Sequence, residues 1–216
     1  MRRATAFTAA AAAFAAFAAA SAGGAAPASA FSAAAAAPPR NVPAAVFDTG
    51  TPPDAFGLDG FDVSSAQSVA FRFFCNADGP LHAVELWLMS NANGSAPLPT
   101  VDVSLRAGSA AAPGPAAQAL ERWAGVPVAA AGWSPLKVTL NSSLTPALAV
   151  GYFLWVVAAS SAPPGADPLW AMSDSAAFGA TNAGGDSPWQ PGAAGQAAAV
   201  RVLIYQAPMV EGRARR

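Results

Sequence analysis

From Ser68 onward, apolar and polar side chains alternate along most of the chain. In Val101-Asp102-Val103-Ser104-Leu105-Arg106 every second residue is branched and apolar and every other one is polar. That period of two marks a strand with one face in a core and one in water. Leu136-Lys137-Val138-Thr139-Leu140 repeats it, and Val200-Arg201-Val202-Leu203-Ile204-Tyr205 does so more loosely. From His82 to Met89, Val84, Leu86 and Leu88 share one face while Glu85 and Trp87 share the other. Ser68 to Phe74 alternates less cleanly. Phe153-Leu154-Trp155-Val156-Val157 is apolar on both faces. It predicts a central strand covered on both sides, or one lying under a loop.

Shorter strands are expected at Ala119–Trp123 and Leu169–Met172. Breakers separate these runs: Asn76-Ala77-Asp78-Gly79-Pro80, Asn91 to Pro99, Ala112-Pro113-Gly114-Pro115 and Ser161 to Asp167. No stretch of the core shows the 3.6-residue period of an amphipathic helix. The pattern therefore predicts an all-β domain over residues 46–206, an antiparallel β-sandwich of jelly-roll type.

The first thirty residues follow another rule. Arg2 and Arg3 precede Ala4 to Ala20, an uncharged stretch of Ala, Phe and Thr. Ala28-Ser29-Ala30 then offers a small-x-small cleavage site, with Ala20-Ser21-Ala22 as a second candidate. This is the layout of a secretory signal peptide over residues 1–30. The alternative is an organelle transit peptide, because no acidic residue occurs before Asp48. The span is short for a bilayer, and alanine gains little from hydrocarbon, so no membrane span is expected in the mature chain. Residues 31–45 read as an Ala/Pro-rich linker and 207–216 as a basic tail.

Charge narrows the function. Charged residues make up only 11% of the 216, and the net charge is −1. Without the two leader arginines the balance is more acidic still. That excludes the clustered Lys and Arg of a nucleic-acid surface. A single cysteine, Cys75, cannot form an internal disulfide and reads as a small buried hydrophobe. Asn93-Gly94-Ser95 and Asn141-Ser142-Ser143 are N-glycosylation triplets in turn-rich segments.

Catalytic chemistry finds little to work with. His82 is the only histidine, and no Gly-x-Ser-x-Gly elbow occurs. A glycosidase would have to draw on Glu85, Glu121 or Glu211. No cofactor is implied. Several loop Asp residues leave a structural calcium ion open, although none has EF-hand spacing. The six tryptophans are the most suggestive feature. Trp155, Trp123 and Trp170 read as structural. Trp133 and Trp189 fall in loops, and Trp87 alternates onto the polar face of its strand. These three are the candidate ligand-binding residues, since exposed aromatic faces stack on sugar rings.

A series of spaced features runs from about Gln67 to Tyr205. Leu81-His82-Ala83-Val84-Glu85-Leu86-Trp87-Leu88 comes first, then Val101-Asp102-Val103-Ser104-Leu105, Pro113-Gly114 and Leu120-Glu121-Arg122-Trp123. Leu144-Thr145-Pro146-Ala147-Leu148 and Gly151-Tyr152-Phe153-Leu154-Trp155-Val156-Val157 follow. Leu169-Trp170, Ser187-Pro188-Trp189 and Ala199-Val200-Arg201-Val202-Leu203 complete it. In this order they resemble the choice-of-anchor R family of exported domains. The resemblance implies a β-sandwich outside the cell, with no enzymatic activity and no defined ligand. The chain departs from the family after Tyr205, where neither an apolar helix nor a sorting motif appears, so a soluble or wall-adsorbed product is expected. The expected function is a non-catalytic secreted or cell-surface domain with a structural or adhesive role. Alternatives are a carbohydrate-binding module and a divergent glycoside hydrolase. The expected partner is an extracellular polysaccharide or matrix, and the alternative location is a plastid or other organelle lumen.

Overall fold

The computed structural model describes residues 42–53, 59–90, 98–108, 114–116, 118–129, 132, 134–163, 168–173, 175, 178–183, 188–191 and 197–206. Every regular element among them is a strand. In chain order these are β1 (Val42–Asp48), β2 (Gly60–Asp62), β3 (Ser68–Phe74), β4 (Gly79–Met89) and β5 (Thr100–Gly108). Next come β6 (Ala119–Pro127), β7 (Leu136–Asn141), β8 (Ala147–Leu148) and β9 (Phe153–Ala159). Last are β10 (Leu169–Ser173), β11 (Phe178–Asn182), β12 (Gln190–Pro191), β13 (Ala197–Ala198) and β14 (Val200–Gln206).

The strands form two antiparallel sheets packed against each other. In one, β4 lies between β14 and β7, and β1 pairs with the far side of β14. Two-residue pairings join β10 and β8 to β4, while β2 and β13 pair with β10. The other sheet has the order β12-β11-β3-β9-β5-β6. They are called here the β4 sheet and the β9 sheet.

The core lies between them and is built from the alternation. Val84, Leu86 and Leu88 of β4 and Val200, Val202 and Ile204 of β14 meet Val69, Phe71 and Phe73 of β3. Val101, Val103 and Leu105 of β5 and Leu154 and Val156 of β9 complete that side. Aromatic rings bridge the layers. Phe47 stacks on Phe73 at 5.0 Å, and Phe71 takes Phe61 and Trp170 edge-on at 5.0 and 5.3 Å. Burying this much apolar surface is the main stabilising term of the fold. Cys75 is fully buried and its thiol donates to the Ala77 carbonyl at 3.1 Å. Burial raises its pKa above that of an ordinary thiol.

The principal strands lie where the alternation predicts them. The N-terminal boundary differs: Val42–Ala45, expected as the end of the linker, belong to β1. Pro43 hid this strand. It lacks an N–H to donate, and β1 tolerates it because among the described strands it pairs on one side only. Strand β11 was also missed, because Phe178-Gly179-Ala180-Thr181-Asn182 has almost no alternation.

Candidate functional site

The two outer faces are built differently. On the β4 sheet the residues that point away from the core include Glu85, Trp87, Arg201 and Lys137. Register places Asp48 of β1 beside Arg201 of β14, Arg201 beside Glu85 of β4, and Lys137 of β7 beside Trp87. The charges connect across four strands. Arg201 Nε donates to Asp48 at 2.7 Å, Arg201 Nη1 lies 3.5 Å from Glu85, and Lys137 Nζ donates to Glu85 at 3.0 Å. Glu85 was expected on a wet face, yet it is buried beneath its two cationic neighbours. Its Oε1 accepts from Lys137, while Oε2 is buried with the Arg201 ion pair beside it and no hydrogen bond among the described residues. His82, at the other end of β4, places its ring 4.4 Å from that of Tyr205.

On the β9 sheet, Ala70, Trp155, Val157 and Ala180 form a second buried cluster on the outer face, with Trp189 packed over it. Trp155 is fully buried there. This is the covered second face that the all-apolar run of β9 demanded. Space for the indole comes from Gly108, where a Cβ would overlap the Trp155 ring. Arg72 and Arg106 flank Trp155 in register on β3 and β5. The Arg72 guanidinium lies over the Phe153 ring at 4.8 Å and near Trp155 at 5.7 Å. Arg106 Nε donates to Ser104 at 2.9 Å, and burial lowers its pKa. Further along, Arg122 pairs with Asp102, whose other oxygen accepts the Gly125 N–H at 2.8 Å. The Gly125 amide and Arg122 together hold the Asp102 carboxyl below its ordinary pKa.

Glu121, on β6, is the third distinctive group. It is 2% exposed and its carboxylate holds the turn after β7. The Ser142 hydroxyl donates to Oε2. The Ser143 N–H, the Ser143 hydroxyl and the Leu144 N–H donate to Oε1 at 2.6, 3.1 and 3.2 Å. Burial by itself raises the pKa of Glu121, but these donors outweigh it and the net shift is downward. The turn places Thr145 at a φ of 45°, an uncommon value for a residue with a branched Cβ. Sequence reading missed this clamp. Its only signal was an acid in an apolar strand, paired in space with a Ser-Ser turn some twenty residues on.

The aromatic candidates separate. Trp87 is only 8% exposed and packs with Met89, Ala171, Ala199 and Leu169. Alternation assigned its face correctly, but strand β10 alongside supplies apolar neighbours that bury it. Trp189 is half-buried, its indole held against the β9 sheet and pressed on by Gly114, where a Cβ would overlap it. Trp133 lies outside the described residues, as does Asn93. Asn141 is exposed at the end of β7, and its carbonyl accepts the Trp123 indole N–H at 2.9 Å. The third residue of its triplet, Ser143, is tied to Glu121. Among the described residues, the exposed aromatic side chains are instead Phe74, at 50%, and Tyr152, at 64%.

Among the described residues, depressions on the β9 sheet include the following two. One, of about 230 Å³, is lined by Thr100, Asp102, Ala159, Ser160 and Ser161. The other, of about 390 Å³, is lined by Ala66, Gln67, Thr181, Asn182, Ala183, Pro188 and Gln190, none of them charged. For calcium, no group of three His, Cys, Asp or Glu side chains comes together among the described residues. Asp48, Asp62, Asp78 and Asp102 each serve a separate local hydrogen bond. No helix among the described residues is long and apolar enough to cross a membrane. Set against known proteins, the chain matches no family model and no curated relative.

Proposed function

We propose that this chain is an exported, non-catalytic domain of jelly-roll type with a structural or adhesive role outside the cell, akin to the choice-of-anchor R domains that its spaced motifs resemble. Strand pairing supports the jelly-roll reading. Take the main strands in chain order as β1, β3, β4, β5, β6, β7, β9 and β14. The first pairs with the last, β3 with β9, β4 with β7, and β5 with β6. Such nesting arises when one long hairpin is wrapped across two sheets.

The observation that carries the non-catalytic role is the use made of Glu85 and Glu121. They lie on different sheets. Each is paired within its own neighbourhood, Glu85 with the cations Lys137 and Arg201 and Glu121 with the donors of the Ser142–Leu144 turn. A glycosidase instead needs two carboxyl groups facing one bond across roughly 5–10 Å. Export rests on the leader pattern, and a core built without a disulfide suits it if large enough.

N-terminal sequencing of the protein from its native fraction tests the location. A mature start near Phe31 in the extracellular or wall fraction is expected; an organelle-lumen product would overturn it. Release of reducing sugar from polysaccharide by the purified domain would overturn the non-catalytic role. A second reading, a carbohydrate-binding module, is favoured by the uncharged depression beside Trp189.

A further inference from the structure

We infer that the depression lined by Gln67, Thr181, Asn182 and Gln190 is a binding site for a neutral glycan. The inference rests on the carbohydrate-binding reading and gives that reading an address. The volume, about 390 Å³, falls within the roughly 300–1,000 Å³ typical of small-ligand sites.

Its chemistry selects the ligand. None of the described lining residues is charged, so these side chains bring no full charge to pair with a phosphate, a carboxylate or a cation. Ala66, Ala183 and Pro188 add apolar surface beside the polar side chains. Gln67, Gln190 and Thr181 bring two side-chain amides and a hydroxyl, groups that both donate and accept. A sugar ring presents the matching set, hydroxyls that do both at each carbon. Gln67 Nε2 donates to the Asp62 carbonyl at 2.9 Å, which fixes that side chain and leaves its Oε1 as an acceptor. An extended peptide is a poorer fit. It would add to a sheet edge, and the edge here, β12, is two residues long.

Trp189 enters the site in a different way from a stacking platform. Pro188 and Gln190 line the depression, while the indole between them packs on Ala70, Trp155, Val157 and Ala180. It is a positioning residue that pins one wall to the sheet.

The test uses the purified full chain in depletion assays on insoluble neutral polysaccharides (cellulose, chitin, mannan, xylan) and affinity electrophoresis in soluble β-glucan. Polygalacturonate and heparin serve as acidic controls. The expected result is retention by at least one neutral glycan, unchanged in about 0.5 M salt because no ion pair is involved. Gln190→Ala and Thr181→Val are expected to weaken binding about three- to tenfold each, the effect of one lost hydrogen bond, with thermal melts unchanged for the exposed Gln190. Trp189→Ala abolishes binding and Trp189→Phe restores it, whereas Phe74→Ala and Tyr152→Ala leave it intact. If the parent binds and the Gln190 and Thr181 variants bind equally well, this site is overturned while glycan binding stands. If loss occurs only with Phe74→Ala or Tyr152→Ala, the site moves to that exposed pair. If no neutral glycan retains the parent, both the site and the module reading fall.

Discussion

On the outer face of the β4 sheet, Asp48, Arg201, Glu85 and Lys137 cross four strands as a ladder of alternating charge. On the outer face of the β9 sheet, the corresponding middle is apolar: Ala70, Trp155, Val157 and Ala180 beneath Trp189. The first face meets water at Lys137, Arg201 and Asp48, while Glu85 between them and the Trp87 cluster beside them are buried. The second is closed over by segments from outside the sheet, so β9 is buried on both sides. The difference teaches where this small-residue chain finds stability. Alanine and glycine fill many positions, and the large indoles supply area that Leu and Ile provide elsewhere.

The largest expected effect tests the covered face. Trp155→Ala should cost about 3–5 kcal/mol in urea unfolding; a loss below about 1 kcal/mol would show that the outer cluster is decoration. Removing the carboxylate at the edge of the same sheet comes next. Glu121→Ala should cost about 2–3 kcal/mol, because the Ser143 and Leu144 N–H groups lose their acceptor.

Acid should sharpen the contrast. Asp102 and Glu121, both on the β9 sheet, have lowered pKa values. Their contribution is complete above the unfolded carboxylate value of about 4 and is lost as pH falls through the folded value. The melting temperature should therefore drop below about pH 4, and Glu121→Gln should flatten that drop. Melts of both proteins from pH 7 to pH 3 decide this, and parallel curves would remove Glu121 from the account. Gly108→Ala, which pushes a methyl group into the Trp155 ring, should cost about 1–3 kcal/mol. The smallest effect belongs to the ladder. Asp48→Asn, which removes the charge of the exposed Asp48–Arg201 pair, should cost under about 1 kcal/mol and less again in high salt. A larger loss would mean that the charged face matters as much as the apolar one.

Much of the fold was legible in the order of residues. Val101 to Arg106 shows a clean period of two and lies in β5 with Val101, Val103 and Leu105 inward, as the period names them; in β7 the period holds for Leu140 and the partly buried Val138, while Leu136 is 41% exposed. The double-sided run in β9 announced a covered strand, although nothing local named Trp189 as its cover. β11 escaped because Gly179 exists to admit Phe71, leaving no side chain to alternate. The candidate site was less legible. Trp87 sits on the expected face but lies buried, since its neighbours Ala171, in β10, and Ala199, between β13 and β14, are far from β4 in sequence and meet it only in space. The lining of the depression comes from the start of β3 and from β11 and β12, more than a hundred residues apart.

The sequence alone determined that the chain forms strands, where most of them run and which side of each faces inward, because side-chain alternation is a property of one strand. The tertiary structure alone decided which strands lie side by side. It thereby decided which outward residues stay wet, which are closed over, and which uncharged side chains gather around one hollow. Burial and pairing depend on neighbours distant in sequence, and no local pattern encodes them.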